Sequence, residues 1–241
     1  MARNEAANLP RALASVQFAD EVIVGDTGST DNTAEIARQL GARVVSCTWR
    51  GFGPTKAEAL SHATGDWVLS LDADEEVTAE LAEQIRAVVA DESNKFIAYR
   101  LTRQANFLGR WIRHSGWYPD FVLRLYRSGR AHVTDDLVHE RIVADGKIGT
   151  LAGLLRHYTD PTIDHYLEKM REYTQLSAEQ LHAAGRRCRW WDLVLRSPFM
   201  FVKMYIVKLG FLDGWQGFLL AFFSSVHVFT KYARLKSLRE S

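Results

Sequence analysis

The sequence contains few cysteines and no long apolar run. Two of its 241 residues are cysteines, Cys47 and Cys188, and they stand far apart, which argues against a disulfide-stapled scaffold and a cluster of thiolate metal ligands. The longest C-terminal stretch without Asp, Glu, Lys or Arg, residues 214–230, has 17 residues, whereas a membrane-spanning helix needs about 20 mostly apolar residues. We expect this stretch to lie in a membrane interface or to be partly buried. Residues 1–5 carry no secretory signal pattern, so we expect a reduced, cytoplasmic protein.

The chain also lacks a strong net charge, although its charges are unevenly divided. The formal net charge is +1, which gives no reason to expect a nucleic-acid partner. Residues 1–185 carry 20 Lys and Arg against 26 Asp and Glu, whereas residues 186–241 carry 10 against 3. A basic, aromatic-rich tail on an acidic body is typical of a protein whose tail meets an anionic membrane surface.

Short apolar runs alternate with segments of helical periodicity in the N-terminal part of the chain. Residues 21–25, 43–46 and 67–71 predict buried strands, and helices are predicted between them. This alternation predicts an α/β fold with a mostly parallel sheet flanked by helices. Because such sheets bind ligands at the carboxyl ends of their strands, we expect Asp26 and the residues after Leu71 to face one cleft.

The predicted strand 67–71 is followed by a concentration of carboxylates. Asp72, Asp74, Glu75 and Glu76 stand within five residues, and like charges this close repel one another unless a cation compensates them. Two carboxylates at alternate positions can hold one hard divalent cation, so Asp72 and Asp74 are candidate ligands of Mg²⁺ or Mn²⁺. The alternative is a solvated turn before an acidic helix N-terminus, and we expect Glu75 and Glu76 to have that role.

Several short motifs follow one another in a specific order. They are Arg3-Asn4-Glu5, Asp26-Thr27-Gly28-Ser29-Thr30-Asp31, Gly65-Asp66-Trp67-Val68-Leu69, Asp72-Ala73-Asp74-Glu75, Gly109-Arg110-Trp111-Ile112-Arg113, Trp117-Tyr118-Pro119-Asp120, Leu123-Arg124-Leu125 and Leu137-Val138-His139-Glu140. In this order they resemble the family 2 inverting glycosyltransferases of the GT-A fold, and among them the lipopolysaccharide core β-1,4-glucosyltransferase type. The resemblance extends over residues 2–173 and more loosely over residues 210–214.

The resemblance implies a metal-dependent hexosyl transfer and a role for particular residues. The implied ligands of Mg²⁺ or Mn²⁺ are Asp72, Asp74 and His157. The implied contacts to the UDP-sugar donor come from Asn4, Glu5, Asp26, Asp72 and Arg124. An inverting transfer also needs a general base that deprotonates the acceptor hydroxyl, and the candidates are Glu140, which we favour, and Asp136.

The resemblance also implies an architecture and a location. We expect a GT-A catalytic domain over residues 1–160 and a helical, membrane-associating appendage over residues 161–241. Met1-Ala2 stands where the family has an apolar first strand, so we expect that strand to be missing or truncated and its neighbours to have open edges. The implied reaction moves glucose from UDP-glucose onto a lipopolysaccharide inner-core or related lipid-linked glycan, at the inner face of the bacterial cytoplasmic membrane.

Two alternatives stay open at this point. A haloacid-dehalogenase-type phosphatase also has a strand followed by Asp-x-Asp, although Glu76 stands where its motif has Thr or Val. A membrane-associated sugar-nucleotide binder without turnover is the non-enzymatic alternative. Phosphatase activity without a nucleotide sugar would favour the first, and tight UDP binding without turnover would favour the second.

Overall fold

The computed structural model describes residues 1–134 and 141–240. The two candidate bases, Asp136 and Glu140, therefore lie outside the described residues. The helices are α1 Leu9–Ser15, α2 Thr33–Gln39, α3 Phe52–Leu60, α4 Ala79–Ala90, α5 Ile163–Ala183, α6 Trp190–Val194, α7 Arg196–Val202 and α8 Gly214–Glu240. The strands are β1 Ile23–Asp26, β2 Arg43–Ser46, β3 Trp67–Leu69, β4 Glu75–Val77, β5 Ala98–Phe107, β6 Arg110–Trp111, β7 Asp120–Arg127, β8 Ala131–Val133, β9 Ile142–Ala144 and β10 Ile148–Asp160.

The described strands form a mixed set of sheets. β1 and β2 pair in parallel, and a larger sheet has the order β3–β7–β5–β10–β4, with β6 beside β5. In that sheet β7 is antiparallel to β3 and β5, and β4 is antiparallel to β10. The predicted α/β class is confirmed, but the sheet is mixed and not mostly parallel. No helix intervenes between β5 and β7, and a parallel return would require a long crossover connection.

Helix α4 closes the main apolar core over the larger sheet. Thr78 caps the helix, since its side chain accepts a hydrogen bond from the backbone N–H of Leu81. Leu81 and Ile85, one turn apart, are buried at 0% and 3% exposure and pack with Leu101 and Leu155. The apolar residues that recur on one face of α4 therefore pack against the alternate, inward-facing residues of the strands beneath it.

A cavity lies beside the parallel strands. It has a volume of about 820 Å³, and residues of both β1 and β3 line it. β1 pairs with β2 and β3 pairs with β7, and neither has a second strand partner among the described residues. Ala2 forms an isolated parallel bridge with Asp26 at the end of β1. Among the described residues β3 therefore has the predicted open edge, whereas Ala2 pairs with the carboxyl end of β1.

The chain divides into two compact units. The first comprises Met1–Arg103 and Asp120–His157, and the second comprises Gln104–Pro119 and Tyr158–Ser241. The predicted domain boundary after residue 160 stays a prediction, and the compact units differ from it by grouping Gln104–Pro119 with the C-terminal helices. In the second unit Phe107, Ile112, Met204 and Leu220 form a separate apolar cluster.

The C-terminal region is helical, as predicted. Among the described residues no single helix is long and apolar enough to cross a membrane. The segments Trp190–Val207 and Gly210–Leu238 pass that test only as a pair, bent by 72°. A π-helical turn, Lys203–Val207, ends the first segment, and a 3-10 turn, Gly210–Asp213, begins the second.

The expectation that Glu75 and Glu76 open a helix is wrong. Both belong to β4, and α4 begins only at Ala79. β4 is three residues long and pairs with β10, with Glu75 opposite His157. A strand this short carries no recognisable alternation, so pairing with a distant segment decided its conformation.

We predict that Gly153→Ala destabilises the first unit. A Cβ at Gly153 would lie 2.6 Å from the Cα of Leu81, so α4 must shift away from the sheet, at a cost of about 1 to 3 kcal/mol. Gly65→Ala is the control, because its Cβ would meet one backbone oxygen at 3.4 Å. Urea unfolding should separate the two variants, and equal midpoints would contradict this packing.

Candidate active site

Asp72 lies between two buried cations just after β3. Its Oδ1 accepts a hydrogen bond from Nζ of Lys56 at 2.9 Å, and its Oδ2 accepts one from the guanidinium of Arg124. Lys56 comes from α3 and Arg124 from β7, and their side chains are only 5% and 8% exposed. Two elements distant in sequence therefore fix this carboxylate and compensate its charge.

Glu75 extends this ion-pair network below the surface. Its side chain is fully buried, and its Oε1 accepts hydrogen bonds from Arg124 at 2.7 Å and from Arg103 at 3.3 Å. Its other oxygen accepts the backbone N–H of Asp72 at 2.9 Å. Arg103 also pairs with Asp120 at 2.7 Å. Glu75 thus positions both the Asp72 backbone and the arginine that holds its side chain.

The network keeps Asp72 negatively charged. Burial by itself raises the pKa of the Asp72 carboxyl, but Arg124 and Lys56 outweigh that effect and hold this pKa well below its usual range. Burial lowers the pKa of Arg124, and the charges of Asp72 and Glu75 more than offset it, so the pKa lies above its ordinary value. At neutral pH Asp72 is therefore an anion that accepts hydrogen bonds, not an acid.

Asp74 contacts a histidine, whereas Asp72 contacts two cations. Its Oδ2 lies 3.1 Å from Nε2 of His157, and the two side chains are 22% and 17% exposed. The pairing of β4 with β10 brings His157 to this point. A carboxylate oxygen beside an imidazole nitrogen is a donor set that suits a divalent metal completed by phosphate oxygens and water.

No group of three or more His, Cys, Asp or Glu side chains in the described part of the chain is arranged to hold a metal. Asp72 already has both carboxylate oxygens engaged by cations. The residues therefore fit a metal held by two protein ligands, Asp74 and His157, better than one held by three. The metal role of Asp72 stays a prediction.

A second polar group surrounds the end of β1. The carboxylate of Asp26 accepts the backbone N–H groups of Gly28 and Ser29 at 3.2 Å. Asn4 donates its backbone N–H to the hydroxyl of Ser29 at 3.0 Å and accepts the N–H of Thr30 at 2.8 Å. The structure thus brings the predicted nucleotide residues Asn4 and Asp26 together in one loop pair.

The nearby Glu5 is used structurally. Its backbone N–H donates to Thr33 at 2.8 Å, and its carboxylate accepts the side-chain amide of Asn8 at 2.9 Å. Hydrogen bonds from Thr33 also lower the pKa of the Asp31 carboxyl. These contacts order the loop that precedes α2, so a direct contact of Glu5 with a nucleotide stays a prediction.

Ala73 links the two polar groups. It packs against the apolar cluster that contains Ala2, Leu9 and Val24, and Val24 lies in β1, two residues before Asp26. The turn that carries Asp72 and Asp74 therefore contacts the layer that ends in Asp26. This contact supports the expectation of one cleft at the carboxyl ends of β1 and β3.

Sequence reasoning missed three charged residues of this site, Lys56, Glu75 and Arg103. Lys56 lies in α3, four residues after the helix begins at Phe52. Its buried neighbours Gly53 and Thr55 are small, and one lysine on a face of small residues is a signal that could have found it. Arg103 gave no comparable local signal, because its partners are distant in sequence.

Comparison with known proteins identifies the relatives of this chain. Residues 1–145 match the sequence profile of the family described as Glycosyl transferase family 2. An uncharacterized glycosyltransferase of Rickettsia typhi is 31% identical over 99% of this chain and 84% of its own length. The lipopolysaccharide core biosynthesis glycosyltransferase LpsC of Rhizobium meliloti is 29% identical over 96% of this chain and 88% of its own length.

A solved structure with a related chain path is that of S. aureus TarS 1-349. The match covers 99% of this chain and 89% of the TarS chain, with 18% sequence identity and a TM-score of 0.49. A likeness at this level carries no argument about donor, acceptor or metal.

We predict that Glu75→Gln destabilises the protein by about 3 to 5 kcal/mol, because removing one partner leaves buried arginine charge uncompensated. Glu76→Gln is the matched control on the same strand. Glu76 is 23% exposed and lies 3.9 Å from Arg156, so its loss should change stability by less than about 0.5 kcal/mol. Urea unfolding of both variants measures the difference. Equal stabilities would show that the Glu75 network does not hold the turn.

Proposed function

The chain belongs to glycosyl transferase family 2, and from that premise we propose that it transfers glucose from UDP-glucose to a lipopolysaccharide inner-core or related lipid-linked glycan. Family membership removes the support for the phosphatase alternative. The observation that carries the proposal is the acidic turn after β3, whose two aspartates have different partners. Asp72 pairs with two cations, and Asp74 lies beside His157.

The proposed binding of the UDP-sugar donor rests on the ionised Asp72 and on the adjacent loop that Asn4 and Asp26 order. Asp72 is an ionised acceptor whose orientation Lys56 and Arg124 determine, and such an acceptor suits the hydroxyl groups of a ribose. Asn4 and Asp26 order the adjacent loop, where a base and ribose would bind. Arg124 positions Asp72, since its Nη2 is engaged by Asp72 and Glu75, and its direct contact with the donor stays a prediction.

Asp74 and His157 would hold Mg²⁺ or Mn²⁺ in this proposal. When bound, the metal supplies positive charge against the diphosphate as it departs with the electron pair of the anomeric C–O bond. The ion pairs beneath the turn keep Asp74 at a fixed distance from His157, so the ligand pair is already formed.

The inverting step itself needs a base on the acceptor side. The acceptor hydroxyl oxygen forms a bond to the anomeric carbon as the bond to the diphosphate breaks, and the hydroxyl proton passes to a carboxylate. We assign this role to Glu140 and keep Asp136 as the alternative. Both residues follow Thr134 at the end of β8.

The acceptor assignment rests on the relatives. LpsC of Rhizobium meliloti is named as a lipopolysaccharide core biosynthesis enzyme, and its similarity extends over 96% of this chain. A lipid-linked acceptor would be met at the inner face of the cytoplasmic membrane, so we propose peripheral attachment there. The remaining alternative is a sugar-nucleotide binder without turnover.

We predict that Asp74→Ala and His157→Ala each lower the rate of UDP release from UDP-glucose by about 100-fold or more, because the charge that stabilises the departing diphosphate is lost. Metal-dependent UDP binding, measured by calorimetry with and without Mn²⁺, should disappear in the same variants. Glu83→Gln, on the exposed face of α4, is the control. Unchanged metal-dependent binding in both alanine variants would overturn this ligand assignment, and UDP binding without any release would favour the binder.

Glu140→Gln should lower kcat by about 100-fold or more while leaving UDP binding intact, since a general base contributes to the chemical step alone. Asp136→Asn should stay within about threefold of the original kcat. The assay is single-turnover transfer to a lipopolysaccharide core acceptor. The opposite ranking would make Asp136 the base, and full activity of both variants would refute both assignments.

A further inference from the structure

Exposed apolar side chains are concentrated in the C-terminal helices. Among the described residues, 23 large hydrophobic side chains are exposed, and 15 of them lie between Trp190 and Phe229. Phe199 and Val207 are each 67% exposed and Trp190 is 66% exposed. Single exposed apolar residues are ordinary, whereas a contiguous set indicates a surface that binds another apolar phase.

The exposed residues of α6 and α7 follow a helical repeat. Trp190 and Val194 are four residues apart on α6, and Phe199, Val202 and Ile206 recur at intervals of three and four residues along α7 and the turn after it, so each set lies along one face of its own helix. The opposite side of the same segment is also apolar, since Met200 and Met204 pack into the cluster that contains Phe107 and Leu220. These helices therefore carry two apolar faces, of which the second unit buries one.

Helix α8 repeats this arrangement. Its buried side includes Leu220, Ala221 and Leu235, each 0% exposed. At other positions of α8, four aromatic side chains are 44% to 59% exposed, namely Trp215, Phe218, Phe222 and Phe229. A helix that is apolar all round is stable when a second apolar environment covers the remaining face.

The charges beside this surface are of one sign. Asp192 and Asp213, the acidic residues between 190 and 238, are buried at 5% and 1% exposure. Asp192 accepts a hydrogen bond from Arg196, and Asp213 accepts the backbone N–H of His114. Lys203 and Lys208 near the bend are exposed, as are the arginines that precede α6. Within residues 186–238 the exposed charged side chains are therefore cations, and an exposed apolar surface that carries them complements an anionic, amphipathic phase.

We propose that the exposed face of residues 186–229 binds the surface of an anionic lipid bilayer and lies in its interface. The tryptophans suit the boundary between headgroups and acyl chains, and the lysines and arginines suit anionic headgroups. A second copy of this chain fits less well, because two such faces would bring like charges together. Lys203 and Lys208 would be costly in the hydrocarbon, so the bent pair rests in the interface and does not cross it.

This face supplies the means of the peripheral attachment proposed above, on which the inference rests, and its test needs neither donor nor acceptor. The full chain should co-sediment with vesicles of phosphatidylcholine and phosphatidylglycerol, and more weakly with phosphatidylcholine alone. High salt should reduce the binding. Failure of the transferase assay would leave this result unaffected, and absence of vesicle binding would overturn the proposed peripheral attachment but leave the proposed sugar transfer unaffected.

Two sets of variants test the face itself. Phe199→Ser with Val207→Ser should weaken vesicle binding at least about tenfold, because two interfacial apolar side chains are lost. The matched control is Leu40→Ser with Phe121→Ser, two residues of the first unit that are 48% and 53% exposed. Equal weakening in both pairs would show that the proposed face is not the contact.

The charge variant removes three exposed cations, Arg186→Gln, Arg187→Gln and Lys203→Gln. It should weaken binding to phosphatidylglycerol vesicles about 100-fold, at roughly fivefold per cation. Lys95→Gln, Arg100→Gln and Lys147→Gln remove three exposed cations of the first unit and should have little effect. Absent binding, or equal binding to both vesicle types, overturns the proposal. A dimer lost on Phe199→Ser, without vesicle binding, would instead assign the face to a second copy.

Discussion

The site depends on how one buried acid, Glu75, compensates two arginines. Glu75 binds the guanidinium groups of Arg124 and Arg103 and the backbone N–H of Asp72, so it joins β4, β5, β7 and the turn after β3. A fully buried carboxylate is tolerated only when its charge is matched and its oxygens are hydrogen-bonded. Because every partner comes from a different element, the acidic turn can form only when the larger sheet is assembled.

This arrangement gives Asp72 and Asp74 different roles. Asp72 has its charge and orientation settled by Lys56 and Arg124, whereas Asp74 faces His157 across the β4–β10 pair. Acids two residues apart would repel each other in a uniform environment. The fold removes the conflict by giving one of them internal cations and leaving the other near an imidazole. In the proposed transfer, the first is a fixed hydrogen-bond acceptor and the second a metal ligand.

Sequence reasoning succeeded where the signal was local. The runs that became β1, β2 and β3 are short and rich in apolar residues, and the motif order identified the family that residues 1–145 match. It failed where a distant partner decided the outcome. Glu75 followed an acidic turn and preceded a helix, so its local sequence favoured a helix start, and only pairing with His157 on β10 makes it a strand residue. Lys56 and Arg103 likewise acquire their roles from tertiary contacts. The candidate bases stay predictions.

The cavity of about 820 Å³ beside β1 and β3 has a mechanical consequence. A well-packed interior compresses little, whereas an internal space disappears when the chain unfolds and water fills it. The part of this cavity that water does not fill in the folded form is lost on unfolding, which lowers the volume of the unfolded form of the first unit. Hydrostatic pressure should therefore shift the unfolding equilibrium of this unit toward the unfolded form more strongly than its number of residues alone would suggest.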